Sequence, residues 1–364
     1  MPLVPAYIRD LSSYKPGKPI EEVHRELGIT DVVKLASNEN ASGPSPRALA
    51  AMKLAMESCH RYPDAMGFKL RDALARRYSV KMENVVLGAG SEGIMSTIMR
   101  TFLLSDDEII SAANSFIGFQ VLANATGRRI HWVPMKNNRY NLPAMAEAIN
   151  DYTKIIYIAN PDNPMGTYIT RQEFDAFYTH VPPRVLIILD EAYFEFTRDI
   201  PDFPDSMTYR YDNVITLRTF SKAFGLAGIR IGYGFAHETL IDNIMKVKVP
   251  FEPSFLAQVA GYAALGDTNF MTRTLELNET GKASYYQHFD RWGIRYIPTA
   301  TNFITTIWNS EKQAAAITDQ LLRKGVIVRH LAAFGWPECI RISIGLEHEN
   351  QRCLDALQTI LNGD

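Results

Sequence analysis

Seven short runs rich in β-branched and other apolar residues alternate with helix-like segments between residues 68 and 235. The runs fall at 84–87, 108–111, 129–133, 154–158, 184–189, 213–216 and 231–235. Helical spacing marks 91–103 and 170–180, and Thr170 with Glu173 has the form of a capping box, which supports a helix start there. Strands that are apolar on both faces must be covered on both, and parallel neighbours need a long crossover between them. The pattern predicts an α/β domain, a mostly parallel sheet covered by helices.

Beyond about residue 250 the pattern changes. Segments 254–265 and 269–291 read as helices, and strands at 303–307, 326–329 and 340–344 alternate with helices at 311–324 and 347–361. These predict a second, smaller α/β domain. Residues 1–45 are rich in Pro, Gly, Asn and Ser and read as an extended arm with turns, after which Pro46 suits the first turn of a helix through about Cys59. The expected division is an arm with part of the small domain at 1–45, a large domain at 46–265 and a small domain at 266–364. A chain of 364 residues is long enough for both cores.

A formal charge of −2 gives no general attraction to nucleic acid or to an anionic membrane, so neither is an expected partner. No apolar run approaches the ~20 residues needed to cross a bilayer. Cys59, Cys339 and Cys353 form neither a disulfide framework nor a metal-ligand spacing, and the eight histidines show none either, so no metal is expected. The opening MPLVPAYIRD lacks a basic segment followed by an apolar one. With unpaired thiols, this points to the cytoplasm.

The carboxyl ends of parallel strands share one edge of a sheet, where α/β proteins bind ligands. Three segments end candidate strands there: 160–167 (NPDNPMGT), 189–193 (LDEAY) and 219–230 (TFSKAFGLAGIR). The last sets the Lys222 amine beside Thr219, Ser221 and Arg230, which together can cradle an anion. A cofactor that carries both an aldehyde and a phosphate needs such a pair, and pyridoxal 5'-phosphate is one. Asp190 closes the apolar run 185–189; a carboxylate there is desolvated unless a cation, such as a protonated ring nitrogen, faces it.

The segment 88–93 (GAGSEG) matches the dinucleotide fingerprint G-x-G-x-x-G, which keeps an NAD-dependent dehydrogenase as an alternative of a different class. Asp106, Asp107 and Glu108 nevertheless precede the next strand, whereas the ribose-binding acid belongs at its far end. A phosphate at the N-terminus of a helix, without a nucleotide, satisfies the same glycines.

Taken together, these segments resemble the fold-type I pyridoxal-phosphate aminotransferases. The lysine segment and DEAY are typical of the superfamily. Residues 14–22 (YKPGKPIEE), 35–40 (LASNEN), 61–64 (RYPD) and 340–345 (IRISIG) resemble its histidinol-phosphate branch. The resemblance implies a homodimer with shared active sites and pyridoxal 5'-phosphate as cofactor. It implies transamination of L-histidinol phosphate with 2-oxoglutarate, giving imidazole-acetol phosphate and glutamate, in histidine biosynthesis. An aromatic amino-acid aminotransferase or a phosphoamino-acid decarboxylase on the same scaffold is the alternative.

The resemblance also implies roles. Lys222 bonds the cofactor aldehyde and moves the proton, Asp190 pairs with the ring nitrogen, and Asn163 and Tyr193 bind the ring oxygen. Gly90, Ser91, Glu92, Thr219, Ser221 and Arg230 hold the cofactor phosphate, and Phe116 stacks on the ring. Tyr62 reaches that phosphate from the partner subunit. Arg329 and Arg341 bind the anionic end of the substrates beside Asn163, and Tyr14 reaches the neighbouring subunit's substrate. The chain departs from the usual pattern at Ala41 and Ser42, at Asn114, and at Asp162 and Met165, where NPNNPTG is common.

Overall fold

A computed structural model describes residues 3–11, 17–209 and 211–363. One sheet holds β1 (Val85–Gly88), β2 (Glu108–Ala112), β3 (Arg129–Val133), β4 (Thr153–Ala159), β5 (Leu186–Asp190), β6 (Val214–Thr219) and β7 (Gly232–Phe235), in the order β1-β7-β6-β5-β4-β2-β3. Each lies at one of the seven expected runs. β7 is antiparallel to β1 and β6, and the other neighbours are parallel. Ile155, Ile156 and Ile158 of β4 and Ile187 and Ile188 of β5 are fully buried, as strands covered on both faces require. Burying each such side chain contributes ~1.5–3 kcal/mol.

Helices cover the sheet. Among them are α1 (Pro46–Ala55), α2 (Gly90–Phe102), α3 (Ile117–Ala125) and α4 (Arg171–Tyr178). α2 turns Ile94, Met95, Ile98 and Met99 toward the core at helical spacing. The capping box of α4 is formed: Thr170 accepts from the Glu173 N–H, and Glu173 accepts from the Thr170 N–H. α1 is shorter than expected, because Met56–Ser58 tighten into a 3₁₀ turn before Cys59.

The second unit is an antiparallel sheet of β8 (Arg295–Ile297), β9 (Phe303–Ile307), β10 (Arg329–His330) and β11 (Cys339–Ser343), in the order β10-β11-β9-β8. After α5 (Phe255–Leu265), the long α6 (Thr268–Trp292) packs on this unit with α7 (Glu311–Arg323) and α8 (Glu347–Asn362). Tyr285, Phe289, Leu321, Ile342 and Leu354 share its core with Val33 and Leu35 of the arm.

The single strand expected at 326–329 is divided. Val326–Ile327 pairs in parallel with Val33–Lys34, and Arg329 and His330 pair with β11. The chain changes partners at Val328. Pairing with the arm draws residues 33–38 into the second unit and brings Asn38 to the ligand edge of the large sheet. Among the described residues no helix is long and apolar enough to cross a membrane.

Candidate active site

At the carboxyl edge of the parallel strands lies a cavity of about 190 Å³. Asp190 is the last residue of β5, and Tyr193 follows it; β6 ends at Thr219 and leads into Ser221 and Lys222. The loop after β4 supplies Asn163, and Gly90, Ser91 and Glu92 open α2. Phe116 immediately precedes α3, and Arg230 stands just before β7. All these residues, read from the sequence as candidates, line the one cavity.

One end is built for an anion. Gly90 has a left-handed backbone (φ +76°), and a Cβ on it would meet Arg230 Nη2 at 2.6 Å. The opening N–H groups of α2 have no intrahelical acceptor, and the helix dipole favours negative charge there. Thr219 Oγ1 donates to Ser221 Oγ at 3.0 Å, and Arg230 Nη1 donates to the same oxygen at 3.4 Å. Glu92 Oε2 accepts from Arg230 Nη2 at 3.1 Å, so its carboxylate steadies the guanidinium, and only its backbone N–H is a donor for an anion. β1 lies at the sheet edge beside antiparallel β7, whereas a dinucleotide fingerprint follows a strand at the topological switch point. The 88–93 turn therefore fits an anion at a helix start better than a dinucleotide.

The other end carries an amine and an acid. Protein walls enclose Lys222, although part of its surface opens onto the cavity. Burial, and then the Arg341 charge, push its pKa down to about 8, which suits a nucleophile. Burial pushes the Asp190 carboxyl up to about 7, against a hydrogen bond from Tyr157 Oη to Oδ2 at 2.8 Å. Asp190 Oδ1 is buried with no hydrogen-bond partner among the described residues. Leaving such an acceptor unfilled costs ~1–3 kcal/mol, and a cationic N–H would satisfy it. An orphaned acceptor, an amine and an anion cradle on one cavity fit the ring nitrogen, aldehyde and phosphate of pyridoxal 5'-phosphate.

Tyr193 is buried, its Oη accepts from Asn38 Nδ2 at 2.9 Å, and its ring meets Phe303 edge-on at 5.4 Å. Burial raises its pKa to about 12, so it keeps its proton for donation. Arg341 is buried outside the cavity wall and touches it through Asn163, whose Oδ1 accepts from Nη1; Nη2 donates to Ala36 O at 2.9 Å. Arg329 stands directly across the strand pair from Arg341, and both guanidinium carbons lie 5.6 Å from the Phe334 ring. Like charges so opposed repel.

Tyr62 is not brought to this cavity within one chain. It is 80% exposed and stacks on Phe251 at 4.4 Å, beside a separate hollow lined by Cys59 and Phe255. Tyr14 lies outside the described residues. The sequence reading missed Tyr157 and Asn38 as contributors. A tyrosine inside the apolar run of β4 was a usable signal, because a buried phenol needs a partner. Asn38 left no signal of its own. Among the described residues no cluster of metal-ligating side chains occurs.

The matching family model, aminotransferase class I and II, spans residues 30–357. The chain is 41% identical to histidinol-phosphate aminotransferase 2 of Carboxydothermus hydrogenoformans, over 97% of this chain and 98% of that protein. It is 42% identical to the histidinol-phosphate aminotransferase of an Anaeromyxobacter species, over 99% and 100% of the two chains. The crystal structure of histidinol-phosphate aminotransferase from Sinorhizobium meliloti in complex with pyridoxal-5'-phosphate matches at a TM-score of 0.91 and 28% identity, over 100% of this chain and 98% of that one. With the family's matched span and these relatives covering nearly all of the chain, it belongs to the class I and II aminotransferases, in their histidinol-phosphate aminotransferase branch.

Proposed function

We propose that this aminotransferase uses pyridoxal 5'-phosphate to move the amino group of L-histidinol phosphate to 2-oxoglutarate, in the cytoplasm, as a step of histidine biosynthesis. The observation that carries the reading is the shared cavity of Lys222, the orphaned Asp190 oxygen and the anion-binding start of α2. When bound, the cofactor supplies an electron sink for the bond broken at the substrate Cα.

The residues of the chain do the rest. Lys222, as a neutral amine, would hold the cofactor through its aldehyde, and its Nζ is the base placed to take and return the proton of the substrate Cα. Asp190 would face the ring nitrogen with Oδ1 while Tyr157 fixes Oδ2. Asn163 and Tyr193 would orient the ring oxygen, and Phe116 would cover one ring face. Thr219, Ser221, Arg230 and the N–H groups of α2 would hold the phosphate. Arg341, with Arg329 opposite, takes the phosphate of one substrate and a carboxylate of the other, since both substrates use the site in turn.

A second copy of the chain completes this reading. Leu54, Met56, Tyr62, Met66 and Phe68 are exposed large apolar side chains within one stretch of sequence, which supports a homodimer whose Tyr62 enters the partner's cavity.

The test is single-turnover conversion by the loaded protein of histidinol phosphate, phenylalanine, tyrosine and glutamate. The proposal expects histidinol phosphate to react with the highest kcat/KM of the amino donors. Preference for an aromatic amino acid, or release of carbon dioxide, would replace it with one of the alternatives. Arg341→Ala is expected to weaken histidinol phosphate by about 100-fold or more, as loss of a buried charge partner costs ~3 kcal/mol, and histidinol, which lacks the phosphate, by far less. Equal losses for both would reduce Arg341 to a support of the fold. Tyr157→Phe is expected to lower kcat about tenfold and to shift the acid limb of its pH profile upward, because the hydrogen bond that holds Asp190 down is lost. An unchanged profile would mean that other contacts hold Asp190.

A further inference from the structure

The turn after β4 is where the chain departs from the common pattern, at Asp162 and Met165, and it joins the two sheet units. On the large-sheet side it is rooted. The buried Asp162 accepts from Ser115 Oγ at 2.5 Å, Ser115 Oγ shares a hydrogen bond with Tyr140 Oη at 2.8 Å, and Tyr140 Oη accepts from the Ala159 N–H of β4 at 2.9 Å. The turn also closes on itself: Met165 N donates to Asp162 Oδ2 at 3.0 Å, and Asp162 N donates to Thr167 O at 2.8 Å.

Its other face grips the second unit. Thr305 Oγ1 donates to Pro164 O at 2.5 Å, and Ala300 N donates to Gly166 O at 2.8 Å. Gly166 has φ +76°, and a Cβ there would collide with Thr299. Met165 is fully buried in an apolar cluster whose other buried members, Ile297, Leu331, Phe334 and Cys339, all come from the second unit. Phe334 is the ring that lies near both Arg329 and Arg341. An unbranched thioether fills an irregular gap of this kind, and a shorter side chain leaves a void.

We propose that Met165 is the positioning residue of the substrate's anion-binding end, a knob on a turn rooted in the large sheet that fixes Phe334, and with it Arg329 and Arg341, at a set place relative to Lys222. The inference rests on the reading of Arg341 as the group that binds the substrate anion. Met165 touches no reacting atom in this account. It acts through the packing that places the arginines.

The test uses cofactor-loaded, full-length protein carrying Met165→Ala or Met165→Leu. Met165→Ala is expected to raise KM for histidinol phosphate about tenfold, since small misplacements of binding groups are costly, while kcat stays within about threefold. Met165→Leu is expected to bring KM back to within about threefold of the unmodified protein. Amide hydrogen exchange supplies a reading apart from activity: in Met165→Ala, amides of 295–307 and 329–343 are expected to exchange about tenfold faster, and those of β4 and β5 at their former rate. Met165→Val carries the same expectations if the alanine variant does not fold. Unchanged KM overturns the inference, whether or not exchange quickens, because Met165 would then serve packing alone. A kcat that falls in step with the rise in KM, or no recovery in Met165→Leu, overturns it as well. Failure of the substrate reading shows separately, as no preference of the unmodified protein for histidinol phosphate over histidinol.

Discussion

Lys222→Ala is expected to slow transamination by about 10⁴-fold or more and to abolish the visible absorbance band that the loaded protein acquires. The side chain is asked both to bond the cofactor aldehyde and to carry the proton, and general acid–base work alone contributes ~10²–10⁴-fold. Burial and the Arg341 charge hold this amine at about 8, below the ordinary 10.5. A lysine is reactive only after it loses its proton. Capture of pyridoxal 5'-phosphate by the cofactor-free protein should therefore quicken as pH rises toward about 8 and level off above it, followed by stopped-flow absorbance. A rate that keeps climbing toward pH 10 would show an ordinary amine, and an activity within tenfold of normal in Lys222→Ala would remove the residue from the chemistry.

The second large effect belongs to Asp190. Asp190→Ala should lower the rate of the half-reaction by about 10²–10⁴-fold, because removing one member of a buried charge pair costs ~3–5 kcal/mol. Asp190→Asn keeps the shape and loses the charge, so a comparable loss in that variant would assign the effect to charge rather than packing. The same carboxyl gives a stability signature before the cofactor is added. Its folded pKa is raised from 3.8 to about 7, so the folded state binds the extra proton between those values. The stability this group contributes is present below about pH 4 and is lost as pH rises through 7. Asp190→Asn should flatten that part of the denaturation-versus-pH curve, and an unchanged slope would assign it to other groups.

The parts of the molecule legible in the sequence are those fixed by local pattern. Runs such as 185–189 are apolar at every position, so they had to be covered strands, and a lysine and an aspartate placed just past two such runs had to meet at one edge. Partner choice was not legible. Residues 326–329 read as one strand because periodicity carries no record of a change of neighbour at Val328. For the same reason Asn38, which that pairing delivers to Tyr193, could be noted only as part of a motif. Met165 stood out as a departure from pattern, yet the buried residues it packs with lie about 130 and more positions further along the chain. Tyr62 could be tied to the site only through the resemblance, since within one chain it stacks on Phe251 away from the cavity.

The most direct test of the account is where the cofactor attaches. Protein loaded with pyridoxal 5'-phosphate is reduced with borohydride, digested and sequenced by mass spectrometry. A stoichiometric pyridoxyl adduct is expected on the peptide carrying Lys222; an adduct on another lysine, or none in fully loaded protein, would contradict the role given to Lys222.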